Sequence, residues 1–449
     1  MNPVDRKKLE HALAQERERF VQTHPRSAAL SKAAHKNLLT GVPMAWMTRW
    51  PGSFPLFFAH AEGARVTDVD GLEYVDFALG DTGAMTGHAR PFVTEAVERQ
   101  AARGITTMLP SEDSLWVGAE LERRFGLPLW QFALTATDAN RFVLRIARYL
   151  TGRPKILVFD WCYHGTVDET LVTMGPAGET LRRESNLGPQ IDPALTTKVV
   201  QFNDLAALEA ALAPGDVACV LAEPALTNIG IVLPDPGYHE GLRRLTKETG
   251  TLLVIDETHT ICAGPGGATA AWGLQPDLLT IGKPIGGGVP TAAYGLSREL
   301  ADRLNGFFRS EGVDVSGIGG TLAGNALAVA AMRAALENAL RAEDFAVAVP
   351  LAERWTAGVA GVIAERGVPW TVQRLGCRTE YWFCEPPRNG REAAAAIDAG
   401  LEAWFHLYML NRGVLMTPFH NMALLSSSHS AADVDLHTEL FAAGVGEIL

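Results

Sequence analysis

The stretch "TLLVIDETHT", residues 251–260, carries an unbroken apolar run, Leu252 to Ile255, and closes it on two carboxylates, Asp256 and Glu257. A run of strand length with no polar alternation marks a strand buried on both faces, and such strands belong to parallel sheets covered by helices on each side. The same design recurs in "KILVFD" at 155–160, "KVVQF" at 198–202, "VACVLAEP" at 217–224 and "LLTIGK" at 278–283. Between several of these lie helical patterns, among them "DLAALEAALA" and "YHEGLRRLTKETG". Parallel strands need crossover connections, so the alternation predicts an α/β fold with a mostly parallel central sheet. Ligands in such folds sit beyond the carboxyl ends of the strands. Asp160, Glu223, Asp256 and Lys283 all fall there.

The rest of the chain bounds the answer. Its 449 residues, 47% apolar and 20% charged, suit a globular protein of two or three domains. A net charge of −12 without a Lys/Arg block argues against a nucleic-acid partner. The charged opening segment lacks the apolar core of a secretory signal, and no uninterrupted apolar run has the length of a membrane span, so we expect no membrane and a cytoplasmic location. Five scattered cysteines without a C-x-x-C pair predict reduced thiols and no metal site. The expected organisation is an N-terminal segment, 1–80, joining the small domain; a large domain, 81–330; and a C-terminal small α+β domain, 331–449, with strands in "TEYWFCE" and "GVLMTPF".

Taken singly, the polar residues at the strand ends have ordinary readings. A lone lysine is usually solvated surface, Asp256 could cap a helix or pair with a cation, Tyr163 could be core, and Gly286, Gly287 and Gly288 could form a plain turn. The string "GKPIGGG" at 282–288 is no Walker loop, which needs its lysine after the glycines and a hydroxyl residue behind it.

Taken in order, the segments "DVDGLEYVDF", "GHARP", "TGRPKILVFDWCYHG", "EPALTNIG", "LLVIDETHT", "GKPIGGGVPTAAYG", "GTLAGNALAVAA" and "LSSSHSAADVD" resemble the class III aminotransferases. These are fold type I pyridoxal-phosphate enzymes, and the glutamate-1-semialdehyde aminomutase branch is the nearest. The resemblance implies pyridoxal 5'-phosphate as cofactor, with Lys283 forming the internal aldimine. It implies Asp256 against the pyridine nitrogen, Tyr163 stacked on the ring, His164 buttressing that turn, Asn228 near the phenolic oxygen and Glu223 in support. Backbone N–H groups at a helix start suit the phosphate, and Thr135, Ala136 and Thr137 meet that need. Thr321 matches a threonine that reaches the phosphate of a second subunit, which implies a homodimer with shared sites.

Two departures stand out. The family run Asn-Ser-Gly-Thr-Glu-Ala is here Leu-Thr-Ala-Thr-Asp-Ala from Leu134, so Ala136 must avoid a left-handed backbone. Thr258 replaces the usual valine, and its extra hydroxyl needs a partner that His259 could supply.

The expected reaction is amino-group transfer from an amine, β-amino acid or amino acid to an oxo acid, in two half-reactions. The alternatives are a 2,1-aminomutase or a non-catalytic pyridoxal-phosphate-binding protein. For substrate, Arg49 is the carboxylate candidate, and Trp46, Phe419 and His420 are candidate pocket lining. On an ungapped alignment Asn421 stands where the aminomutase branch has a glutamate.

Overall fold

A computed structural model describes residues 4–449, which fall into two compact units. The larger spans Pro91–Ala342 and Pro387–Ala395; the smaller is assembled from three segments, residues 1–90, Glu343–Pro386 and Ala396–Leu449.

The large unit is built on a seven-stranded sheet. Its strands are β1 (Leu129–Ala133), β2 (Lys155–Phe159), β3 (Thr197–Val200), β4 (Val217–Ala222), β5 (Leu252–Asp256), β6 (Leu278–Ile281) and β7 (Ala292–Leu296). They lie in the order β1-β7-β6-β5-β4-β2-β3, and β7 alone runs antiparallel to its neighbours. The central strands β4 and β6 are buried at every position, as their unbroken apolar runs require. Helix α1 (Ala136–Thr151) crosses β4, β6 and β7, burying Ala139, Phe142, Val143, Leu144 and Ile146.

The five apolar runs of the sequence are strands β2 to β6. Strands β1 and β7 carry no such signal. In β7 the chain reads Ala-Ala-Tyr-Gly-Leu, and a Cβ at Gly295 would lie 2.7 Å from the Trp130 ring of β1. Gly295 lacks a side chain because its partner strand's indole occupies the space.

The small unit holds a four-stranded sheet, Phe58–Glu62, Arg65–Asp68, Glu73–Asp76 and Val414–Leu415, and a three-stranded sheet, Thr371–Leu375, Arg378–Trp382 and Met422–Leu424. Its N-terminal helix Arg6–Thr23 is tied to the first sheet through His24, whose Nε2 lies 2.8 Å from the Tyr74 hydroxyl, which donates to Asp68 at 2.7 Å. Among the described residues one helix, Ala342–Arg366, is long and apolar enough by length and composition to cross a bilayer. Glu353 and Arg354 interrupt its apolar run, and it buries Phe345, Ala352, Trp355 and Val359 within its unit.

Candidate active site

Strand β5 ends on Asp256 because its apolar residues are spent in the sheet and the first polar side chain emerges where pairing stops. The carboxylate is 4% exposed and fully engaged. Its Oδ2 accepts from Asn140 Nδ2 at 2.8 Å and lies 2.9 Å from His164 Nδ1, while Oδ1 accepts from Thr258 N at 3.0 Å. Burial alone raises a carboxyl pKa, but the His164 hydrogen bond and charge outweigh it and hold Asp256 down to about 2. His164 is shifted the other way. Burial opposes its charge, and Cys162 together with the Asp256 carboxylate offsets that and raises the imidazole to about 10. The two therefore form a buried ion pair at neutral pH.

Asn140 is the member that sequence reasoning missed. It sits on the buried side of α1, and its amide is saturated: Nδ2 donates to Asp256 and to the His164 carbonyl at 3.2 Å, and Oδ1 accepts from Thr280 Oγ1 at 2.7 Å. Thr280 pairs with Asp256 in the β5–β6 register, so one amide locks helix, strand ends and the 161–165 turn together. The available signal was a lone asparagine among the apolar residues of "DANRFVLRIA".

The expected anion cup is a true helix start. Thr135 is the N-cap of α1, with extended backbone and its Oγ1 accepting from Asp138 N at 3.2 Å. Ala136 is the first helical residue and is not left-handed, so the missing family glycine leaves the helix start intact. Thr137 Oγ1 accepts from Thr166 N at 3.2 Å, and a Cβ on Gly165 would fall 2.0 Å from that oxygen, so only glycine lets the Tyr163–His164 turn lie this close. Tyr163 is half-buried in that turn.

Lys283 follows β6 after one glycine. It holds a φ of 50°, a left-handed conformation that costs a non-glycine residue on the order of 1–3 kcal/mol and gathers at functional sites. A Cβ at Gly282 would stand 3.0 Å from Ala136 Cβ, which brings the lysine-bearing turn against the start of α1. Gly282 is thus one of the glycines that permit close approach. In the triplet, a Cβ at Gly286 would meet Thr291 and one at Gly287 would meet Val93, while Gly288 has open space. Lys283 Nζ lies 2.5 Å from His259 Nε2. His259 therefore faces the lysine, and the Thr258 hydroxyl, buried, makes no well-formed hydrogen bond.

The supporting residues are also placed. Glu223 Oε2 closes a turn by accepting from Thr227 N at 3.1 Å and from the Thr227 hydroxyl. Asn228 Nδ2 donates to the Trp161 carbonyl at 3.0 Å. Asp160 is spent on Thr173, Met174 and Gln201. Thr321 is exposed, away from any role within its own chain that the structure records. In the small unit, the Trp46 and Phe419 rings meet edge-on at 5.3 Å, Arg49 is exposed at the end of the turn Ala45–Arg49, and His420 is buried with Nδ1 3.2 Å from Glu380. A separate cavity of about 420 Å³ is lined by Arg141, Arg145, Arg148 and Arg182, whose guanidinium groups are already spent on carbonyl and side-chain oxygens.

The residues present fit pyridoxal phosphate. A buried carboxylate suits a protonated ring nitrogen, a helix start suits the phosphate, a strained strand-end lysine suits the aldehyde, and a buried hydroxyl at Thr258 without a well-formed hydrogen bond lies beside Asp256.

The comparisons agree with this arrangement. The chain is 34% identical to a glutamate-1-semialdehyde 2,1-aminomutase of Desulfitobacterium hafniense, over 86% of this chain and 90% of that one. It superposes with a TM-score of 0.97 and 51% identity on a glutamate-1-semialdehyde-aminomutase from Pseudomonas aeruginosa, covering 99% and 100% of the two chains, and a variant of that protein was solved in complex with PMP. A β-phenylalanine aminotransferase from Variovorax paradoxus matches with a TM-score of 0.87 at 26% identity, over 98% and 97%. The family described as aminotransferase class-III matches residues 46–358, and with the strand-end constellation and these relatives it establishes that the chain belongs to the class III aminotransferases.

Proposed function

We propose that the protein is a pyridoxal-phosphate-dependent aminotransferase that moves an amino group from an amine, β-amino acid or amino acid to an oxo acid. The observation that carries the reading is the Lys283–Asp256 pair, a strand-end lysine and a buried, ionised carboxylate on adjacent parallel strands of one sheet.

The cofactor, when bound, supplies an aldehyde for amines to condense with and a conjugated ring that accepts the electron pair of a breaking bond. The chain supplies the rest. Asp256, fixed by His164, Asn140 and Thr258, holds a proton at the ring nitrogen, and its position costs no reorganisation when charge develops. The N–H groups of Ala136 and Thr137 at the start of α1 bind the phosphate. Tyr163 and Thr258 would be the residues that hold the ring from its two faces. With the cofactor bound, Lys283 Nζ would be the group that carries a proton between the substrate carbon and the cofactor. Within the small unit, Trp46 and Phe419 offer an apolar wall, and the exposed Arg49 offers a guanidinium suited to a substrate carboxylate. The active form is a homodimer in which Thr321 of each chain completes the other's phosphate site.

Transfer is preferred to migration because Asn421, buried in the small unit, stands where the aminomutase branch has a glutamate and cannot exchange a proton at working pH. The second reading, a 2,1-aminomutase, is favoured by the similarity to glutamate-1-semialdehyde 2,1-aminomutases. Tracking nitrogen-15 separates them. Transfer sends label from donor to an added oxo acid; label that stays in one carbon skeleton with no acceptor present establishes migration.

A further inference from the structure

We propose that His259 is the proton partner of Lys283: its Nε2 takes the proton that Nζ must shed before the lysine nitrogen can act as a nucleophile, and returns it when Nζ is released. The proposal rests on the reading of Lys283 as the point of cofactor attachment.

The Nζ–Nε2 separation of 2.5 Å has room for one shared hydrogen and no bridging water. Lysine Nζ has only hydrogens to offer, and an imidazole nitrogen without one accepts, so Nε2 is placed as the acceptor. Transfer breaks one Nζ–H bond, makes one Nε2–H bond and passes a single positive charge from ammonium to imidazolium. Nothing is oxidised or reduced. The transferred state exposes the nitrogen lone pair through a contact already made.

The imidazole is held for this task by its neighbours. The Thr258 N–H is fixed on Asp256, and Thr260 Oγ1 donates to Glu257 Oε2 at 2.6 Å, so the backbone on each side of His259 is anchored. Both adjacent carboxylates are committed elsewhere, Asp256 to His164 and Asn140, Glu257 to Thr260, Ala268 and Thr269. His164, the other imidazole of the site, is unsuited because its Nδ1 is held by Asp256. Lys283 reaches His259 from a left-handed backbone, a strain that a solvated lysine has no reason to keep.

The test follows capture of pyridoxal phosphate by cofactor-free protein, read as the rate at which borohydride fixes the cofactor to the Lys283 peptide. His259→Ala is expected to slow capture roughly 10²-fold, the ordinary worth of a positioned general base, with free imidazole restoring the rate in proportion to its concentration. His259→Gln fills the space and keeps a hydrogen bond but cannot take a proton, so it should be equally slow. Thermal unfolding midpoints near that of the native protein certify folding in both variants. Capture at the native rate in His259→Ala, or full recovery in His259→Gln, overturns the proposal. Fixation on a different lysine overturns the attachment reading instead.

Discussion

Thr258 carries a buried hydroxyl that makes no well-formed hydrogen bond, although it helps keep the neighbouring Asp256 ionised, where the usual family residue is valine. A hydroxyl buried this way costs about 1–3 kcal/mol, so Thr258→Val should stabilise the apoprotein by about 1 kcal/mol in urea unfolding. An unchanged or lower stability means the hydroxyl is satisfied in the folded state. At the same scale, the His164–Asp256 pair makes a pH signature. The depressed Asp256 pKa stabilises the fold above the ordinary carboxyl value near 4, and that gain is lost as pH falls toward about 2. The raised His164 pKa stabilises below the ordinary imidazole value near 6.5, and that gain is lost as pH rises toward about 10. The stability difference between the native protein and Asp256→Asn should therefore be largest between about pH 4 and 6.5 and shrink on both sides. A difference that stays unchanged as the pH falls from about 4 toward 2 and rises from about 6.5 toward 10 in guanidinium unfolding contradicts the pairing.

At the scale of elements, the strand ends were legible and their lock was not. Asp256 and Lys283 could be read because each closes an apolar run, and a polar residue at that point of a parallel strand is conspicuous. Asn140 could not, because a helical asparagine acquires meaning only when the strand register brings Thr280 and Asp256 under it. The true contact of His259 was hidden for the same reason: sequence adjacency suggested Thr258, while the fold presents Lys283 from the next strand. Strand β7 was invisible because two alanines and a glycine interrupt any apolar run, the glycine leaving space for Trp130. Since three buried groups depend on one amide, Asn140→Ala should cost about 2–3 kcal/mol, more than the loss of a single neutral hydrogen bond. Denaturant titration of the apoprotein checks this, and a cost under about 1 kcal/mol shows that water replaces the amide.

At the scale of the whole molecule, the fold class followed from the alternation of apolar runs and helical patterns, whereas the small unit's three-segment assembly depends on contacts far apart in sequence, such as Val75 with Val414. Shared sites make a prediction that no single chain can satisfy. Thr321 is exposed, and Leu322, Met108, Leu109 and Leu115 are more than half exposed in the same unit, a display of apolar surface that a second copy would cover. A mixture of Lys283→Ala and Thr321→Ala chains, each deficient alone, should regain native cofactor affinity at the Lys283-bearing site of the hybrid, because that site then draws an intact Thr321 from the other chain. If mixing restores nothing while sedimentation shows hybrid dimers, Thr321 serves no second site.

The account stands on Lys283, and the most direct measurement is where the cofactor attaches. Purified protein reduced with borohydride, digested and mapped by mass spectrometry should carry the phosphopyridoxyl mass on the peptide containing Lys283, and Lys283→Ala should abolish it. The modification on any other lysine, or its persistence in Lys283→Ala, contradicts the account.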